Sequence, residues 1–179
     1  QVVQTGARTW NVFYHIEVRN LGGASGEYNL NDAPNFDSDI VIQTASYSSN
    51  AVPGGSLFGN GPWTLGSDVV IPVGAIHNYE IVLGVTMDLV DPATPGDEIY
   101  NACETNSVGD PIGGEGLYNE SLLDVNDDGI ADQQDTVCTD IPYLVMNKSL
   151  SSMVQNTSGT YSVTYNIEVE NIGGAVGMY

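Results

Sequence analysis

Residues 3–28 read VQTGARTWNVFYHIEVRNLGGASGEY, and residues 154–179 read VQNTSGTYSVTYNIEVENIGGAVGMY. The offset is a constant 151 residues without gaps, and residues 1–28 agree with residues 152–179 at 14 of 28 positions. Val12, Tyr14, Ile16 and Val18 return as Val163, Tyr165, Ile167 and Val169. Asn20-Leu21-Gly22-Gly23-Ala24 returns as Asn171-Ile172-Gly173-Gly174-Ala175. Chance does not produce such agreement, so the segment is read as one unit of a tandem array and the start of the next. Within each copy the apolar residues alternate with polar ones, in the first copy with His15, Glu17 and Arg19. That period of two marks a strand with one face toward a core. The Asn-x-Gly-Gly that follows supplies residues suited to a turn.

Working outward, further strands are expected over residues 39–47, 68–72, 76–89 and 143–150. In the run 76–89, Tyr79, Ile81, Leu83, Val85 and Met87 share one face. Clusters such as Pro53-Gly54-Gly55 and Gly59-Asn60-Gly61-Pro62 punctuate the chain. No long stretch repeats apolar residues at helical spacing. With 179 residues, 41% of them hydrophobic, and 21 glycines, the reading is an all-β, immunoglobulin-like β-sandwich carrying a long acidic insertion over residues 96–142. Trp10, Trp63 and the tyrosines are expected in the core. Asp140-Ile141-Pro142 reads as a linker. Residues 1–142 then form a sandwich lacking its first strand, and residues 143–179 supply the first strands of the following unit. Such a chain is either cut from an array or a polymerising subunit, whose residues 143–179 complete a neighbouring copy by strand addition.

The charge excludes some functions. There are 23 acidic residues against three basic ones, Arg8, Arg19 and Lys148. That surface repels nucleic acid and anionic membranes, and it attracts cations. No apolar run is long enough to span a membrane. His15 and His77 lack a close metal-ligand partner and read as surface residues. No nucleophile elbow, phosphate loop or dinucleotide fingerprint is present, so no enzymatic activity is expected.

The repeated strand pair resembles the bacterial surface-repeat family called domain of unknown function eleven. The resemblance rests on Lys148 preceding Gly159, Tyr165, Ile167, Val169, Asn171, Gly173 or Gly174, and Ala175 or Val176, with Tyr14, Ile16, Val18, Asn20 and Gly22 in the first copy. It covers about a third of the chain. It implies β-sandwich modules strung along large secreted or wall-associated proteins, hence an extracellular, cell-surface location without catalysis.

The insertion carries the strongest chemical motif. In residues 124–135, DVNDDGIADQQD, oxygen donors recur at positions 1, 3, 5, 9 and 12, with glycine at position 6. Calcium takes six to eight hard oxygens, and the glycine lets the carbonyl at position 7 turn inward. Asp124, Asn126, Asp128, the Ile130 carbonyl, Asp132 and Asp135 are the expected ligands. The other reading of the loop is a polar turn with no ion. Asp88, Asp91, Asp97 and Glu98 form a second acidic cluster without ligand spacing, and Asp32, Asp37 and Asp39 a third, weaker one. Cys103 and Cys138 flank the motif and suit either a disulfide or two buried thiols. A bridge would contribute roughly 3–4 kcal/mol by closing its loop. Lys148 alternates onto the side of Leu144, Met146 and Leu150. It reads either as a snorkelling side chain or as one partner of an isopeptide cross-link with Asn171, assisted by Glu168. Three Asn-x-Ser/Thr sites begin at Asn119, Asn147 and Asn156.

The expected role is a structural repeat unit of an extracellular filament or adhesin stalk, stiffened by calcium and a disulfide. The alternative is a calcium-dependent module that binds a surface glycan or protein.

Overall fold

The structure is a computed structural model that describes residues 1–89 and 99–178. Asp91, Asp97 and Glu98 of the second acidic cluster lie outside those residues. The described residues are all-β. Eleven strands run β1 (Val2–Gly6), β2 (Thr9–Arg19), β3 (Gly26–Pro34), β4 (Ile40–Ser49), β5 (Gly55–Leu57), β6 (Trp63–Ile71), β7 (Ile76–Met87), β8 (Asn119–Asp124), β9 (Gln133–Val137), β10 (Leu144–Gln155) and β11 (Tyr161–Asn171). They form a five-stranded sheet in the order β1-β2-β7-β4-β5, a four-stranded sheet in the order β6-β3-β8-β9, and the two-stranded ribbon β10-β11. Every strand pair is antiparallel.

Alternation builds the five-stranded sheet. Trp10, Val12, Tyr14 and Val18 of β2 turn inward, as do Tyr79, Ile81, Leu83, Val85 and Met87 of β7. The two strands pair with Val12 opposite Leu83 and Tyr14 opposite Ile81, so the apolar faces coincide. Tyr28 and Leu30 of β3 and Trp63, Leu65, Val69 and Ile71 of β6 come from the other sheet into the same core. Two antiparallel sheets sharing one core are consistent with a β-sandwich. Each fully buried Leu, Ile or Val contributes about 1.5–3 kcal/mol, so β7 is the main stabilising strand of its sheet.

The expected strand at 68–72 is longer: β6 begins at Trp63 and passes through Asp68 (φ 52°), where its register with β3 shifts between Tyr28 and Leu30. The amide of Asp68 is held by Asn29 Oδ1 at 2.8 Å. Residues 140–142 are more than a linker. Ile141 is fully buried and Tyr143 nearly so, both within the core of the first unit. The Arg8 guanidinium lies 5.9 Å from the centre of the Tyr143 ring.

The repeat is structural as well as sequential. In the first copy Val2 pairs with Val12, Val3 with Asn11 and Gln4 with Trp10. In the second, Met153 pairs with Val163, Val154 with Ser162 and Gln155 with Tyr161. Each pair is the first shifted by 151 residues. The turn repeats too. Asn20 Nδ2 donates to the Ala24 carbonyl at 2.8 Å, and Asn171 Nδ2 to the Ala175 carbonyl at 2.7 Å.

Candidate functional site

The acidic motif forms the loop of a β-hairpin. β8 and β9 pair as far as Leu123 opposite Gln133, which leaves the intervening residues to close the turn. Asp124 organises it. Its Oδ1 accepts from the amides of Asn126 (3.1 Å) and Asp127 (2.8 Å), and its Oδ2 from that of Gly129 (3.0 Å). Asn126 Oδ1 accepts from the Asp128 amide (3.0 Å), and Asp128 Oδ1 from the Ile130 amide (2.9 Å). Asp132 Oδ2 accepts from the Val125 amide at 2.9 Å, and its Oδ1 from Asn126 Nδ2 at 3.3 Å. Gly129 has a φ of 80°, the left-handed conformation that suits glycine. Desolvation raises the pKa of Asp124. The amides of Asn126, Gly129, Asp127 and Asp128 outweigh it and hold the carboxyl below the usual carboxylate range.

Asp124, Asn126, Asp128 and Asp132 therefore share one loop of hard oxygen donors, the chemistry that calcium takes. Asp135 stands apart. It lies within β9 opposite Ser121, and its Oδ1 accepts from the Thr136 amide at 3.0 Å. Among the described residues no three His, Cys, Asp or Glu side chains stand at metal-holding spacing. At least one oxygen of each of Asp124, Asn126, Asp128 and Asp132 accepts from a backbone amide. A polar recess of about 420 Å³ adjoins the loop, lined in part by Asn29, Asn31, Thr64, Ser67 and Asp68.

Cys103 and Cys138 are joined, with Cα atoms 5.9 Å apart. The bridge fastens the segment entering β8 to the residues leaving β9. That segment is also tied to the core. The Tyr14 hydroxyl donates to the Leu117 carbonyl at 2.9 Å, and the Tyr100 hydroxyl to Asp140 Oδ1 at 2.7 Å.

Lys148, Glu168 and Asn171 are not brought together. Lys148 pairs opposite Ile167, with Nζ 4.3 Å from the centre of the Tyr165 ring. Glu168 pairs opposite Asn147, on the other face of the ribbon, and Asn171 opposite Leu144. His15 Nδ1 lies 2.5 Å from Glu80 Oε1 at the surface. His77 is half-buried, with Nδ1 at 2.8 Å from the Tyr28 hydroxyl. Of the Asn-x-Ser/Thr sites, Asn119 is buried, whereas Asn147 and Asn156 are exposed.

Sequence reasoning missed the carboxylates inside the molecule. Asp32, Asp37 and Asp39 are all buried. Asp37 Oδ2 accepts from the Asn101 amide at 2.9 Å. Asp32 Oδ1 accepts from Asn119 Nδ2 (2.9 Å) and from the Ser121 hydroxyl (3.2 Å). Its Oδ2 and the Asn119 Oδ1 are buried without a hydrogen-bond partner among the described residues. Desolvation pushes the Asp32 carboxyl up to about 6, and the bonds from Asn119 and Ser121 only partly oppose it. The signal was present, since Tyr28, Leu30 and Asp32 alternate onto one face of β3.

Beside these residues a groove of about 830 Å³ separates β2 from β9. Tyr14, Ile16 and Val18 form one wall, and Asn119, Ser121 and Leu123 lie within it. Family models, curated proteins and solved structures give no match to this chain. Its function is argued from these residues alone.

Proposed function

We propose that the chain is a structural repeat unit of an extracellular, cell-surface filament or adhesin stalk, an immunoglobulin-like sandwich with no catalytic role. The observation that carries this reading is the hairpin repeated 151 residues on, residue for residue and in the same register. A unit that recurs with its strand pairing intact is built to be stacked in series. The acidic loop closes one end of the β8–β9 hairpin and the disulfide fastens the other, so the two act as staples at opposite ends. Calcium would be held by Asp124, Asn126, Asp128, the Ile130 carbonyl and Asp132, with Asp135, at the twelfth position, as the remaining ligand. Its charge would relieve repulsion among the loop carboxylates.

Thermal unfolding with calcium and after chelation, on non-reduced protein, tests the staple. Binding to the folded form alone raises the midpoint. An unchanged midpoint leaves the loop a solvated turn. Electron microscopy of a chain carrying several units tests the stalk, and compact particles in place of extended ones would remove it.

The second reading is a module binding a surface glycan or protein. The polar recess lined by Asn31, Thr64, Ser67 and Asp68 favours it. Calorimetric titration with surface glycans distinguishes the two, since only a binding module shows a saturable heat.

A further inference from the structure

Residues 140–143 are gripped from two sides. Toward the first unit, Ile141 is fully buried and Tyr143 nearly so. The Tyr100 hydroxyl and the Cys103 amide both donate to Asp140 Oδ1, at 2.7 and 3.0 Å. The Ile141 amide donates to the Tyr100 oxygen at 3.3 Å. Toward the second copy of the repeat, the backbone of the same residues meets the turn that follows β11. The Ile172 amide donates to the Tyr143 carbonyl at 2.8 Å, and the Ala175 amide to the Ile141 carbonyl at 3.3 Å. The Tyr143 amide donates to Asn171 Oδ1 at 3.2 Å. The segment thus anchors its side chains in one unit and spends its main chain on the next.

The contact explains the two glycines of that turn. Neither Gly173 nor Gly174 has a positive φ, so the turn conformation itself does not call for glycine at either position. A Cβ on Gly173 would collide with the Ile141 carbonyl and the Tyr143 amide, and one on Gly174 with the Asp140 carboxylate. The first obstacle is backbone, and the second is held by Tyr100 and Cys103. The matching turn of the first copy serves as a control. It is closed by the same bond, from Asn20 Nδ2 to the Ala24 carbonyl. Yet a Cβ on Gly23, the counterpart of Gly174, would meet nothing within 4 Å. What crowds Gly174 is the segment 140–143, not the turn.

We infer that the turn at residues 171–175 is a docking surface for residues 140–143 of the unit before it, so that consecutive units are clasped at a fixed angle instead of swinging on a linker. This rests on the structural reading above and names the surface by which one unit meets the next. A Gly- or Ser-rich linker leaves its neighbours free to reorient. This joint has no such slack. The amide and the carbonyl of both Ile141 and Tyr143 are engaged. Pro142 between them has no amide to satisfy and a fixed φ. The clasp also reaches the far side of the turn, where a Cβ on Gly177 would press on the side chains of Leu144 and Pro142. Bending at the joint therefore has to break bonds on one side or pull Ile141 and Tyr143 out of the core on the other.

The test is nuclear magnetic resonance on the whole, non-reduced chain. Residual dipolar couplings from β2 and β7 and from β10 and β11 should fit a single alignment, and the Ile172 and Ala175 amides should exchange slowly. Gly174→Val should speed exchange at those two amides by about tenfold or more and split the couplings into two alignments, with the amides of β7 unchanged. Gly23→Val, the matched substitution, should do neither. Should Gly174→Val disturb the ribbon itself, Asn171→Ala removes the acceptor of the Tyr143 amide without adding bulk and is read in the same way. Two alignments in the unsubstituted chain, or exchange at Ile172 and Ala175 as fast as in an unstructured peptide, overturns the inference. So does a Gly174→Val chain that behaves as its parent, or an equal effect from Gly23→Val. The two readings fail separately. Without the clasp, imaging of several units still shows extended arrays that bend at each joint, whereas compact particles remove the stalk.

Discussion

The hairpins β1–β2 and β10–β11 share a sequence pattern, a register and a turn, yet one lies in the core and the other stands in solvent. Trp10 is 1% exposed, and its counterpart Tyr161 is 55% exposed. Val12 and Val163 differ in the same way, at 0% and 43%. Identical local instructions are thus sufficient for a hairpin but not for its burial. β2 is buried because β7 pairs along its whole length and the sheet of β3 and β6 packs across it. The second copy has no such neighbours among the described residues.

Substitution of matched residues is the sharpest way to break this comparison. Trp10→Ala should cost about 3–5 kcal/mol, as large-to-small changes in cores do. Tyr161→Ala should cost less than about 0.5 kcal/mol, as at other exposed sites. Denaturant unfolding of both variants measures the difference, and equal costs would mean that the second hairpin is packed after all.

The disulfide divides the two regions next. Replacing Cys103 and Cys138 by serine should lower the stability of the first unit by about 3–4 kcal/mol. Amide exchange in β10 and β11 should not respond. Slower or faster exchange there would show that the hairpins are coupled.

Asp32 offers a change that only the first region can feel. Its folded pKa, about 6, lies above the ordinary carboxyl value of 3.8. Below the lower value both states hold the proton, and nothing is lost. Between the two, the unfolded chain ionises while the folded one keeps its proton, so stability falls as pH rises. Above the upper value the penalty is constant, on the order of 2–3 kcal/mol. Asp32→Asn should flatten that slope and stabilise the protein at neutral pH. A slope that persists in the variant would assign it to other groups.

The smallest effect concerns Lys148. Because Asn171 lies four ladder positions away, the intact mass of the monomer should show no loss of ammonia. A loss would place a cross-link where the ribbon geometry separates its partners.

The legible part of the fold was the part in which one face is apolar throughout. β2 and β7 declare themselves by strict alternation, and β10 by its kinship with the start of the chain. β3 was missed because its apolar face holds only Tyr28 and Leu30 before Asp32 puts a carboxylate on it, which the fold satisfies by side-chain bonds. β8 and β9 were hidden by acidity that reads as loop. The site divided similarly. The spacing of Asp124, Asn126, Asp128 and Asp132 located one loop, because local turns are encoded locally. It did not show that Asp135 belongs to the ladder of β9, because counting along the chain ignores where a ladder begins. The burial of Asp32, Asp37 and Asp39 was not legible, since nothing local distinguishes a carboxylate that a distant Asn101 or Asn119 will cover.

The bridge between Cys103 and Cys138 also sets how this protein would respond to being pulled. A sandwich under tension yields by paying out chain, and each residue released adds about 3.3–3.6 Å of length. The two sulfurs span a sequence separation of 35, so a force applied at the ends bypasses the intervening segment. About 120 Å of slack is thereby withheld. The acidic loop lies inside that protected stretch. A module built this way can lose its outer strands to a load and still keep residues 124–132 folded against β3.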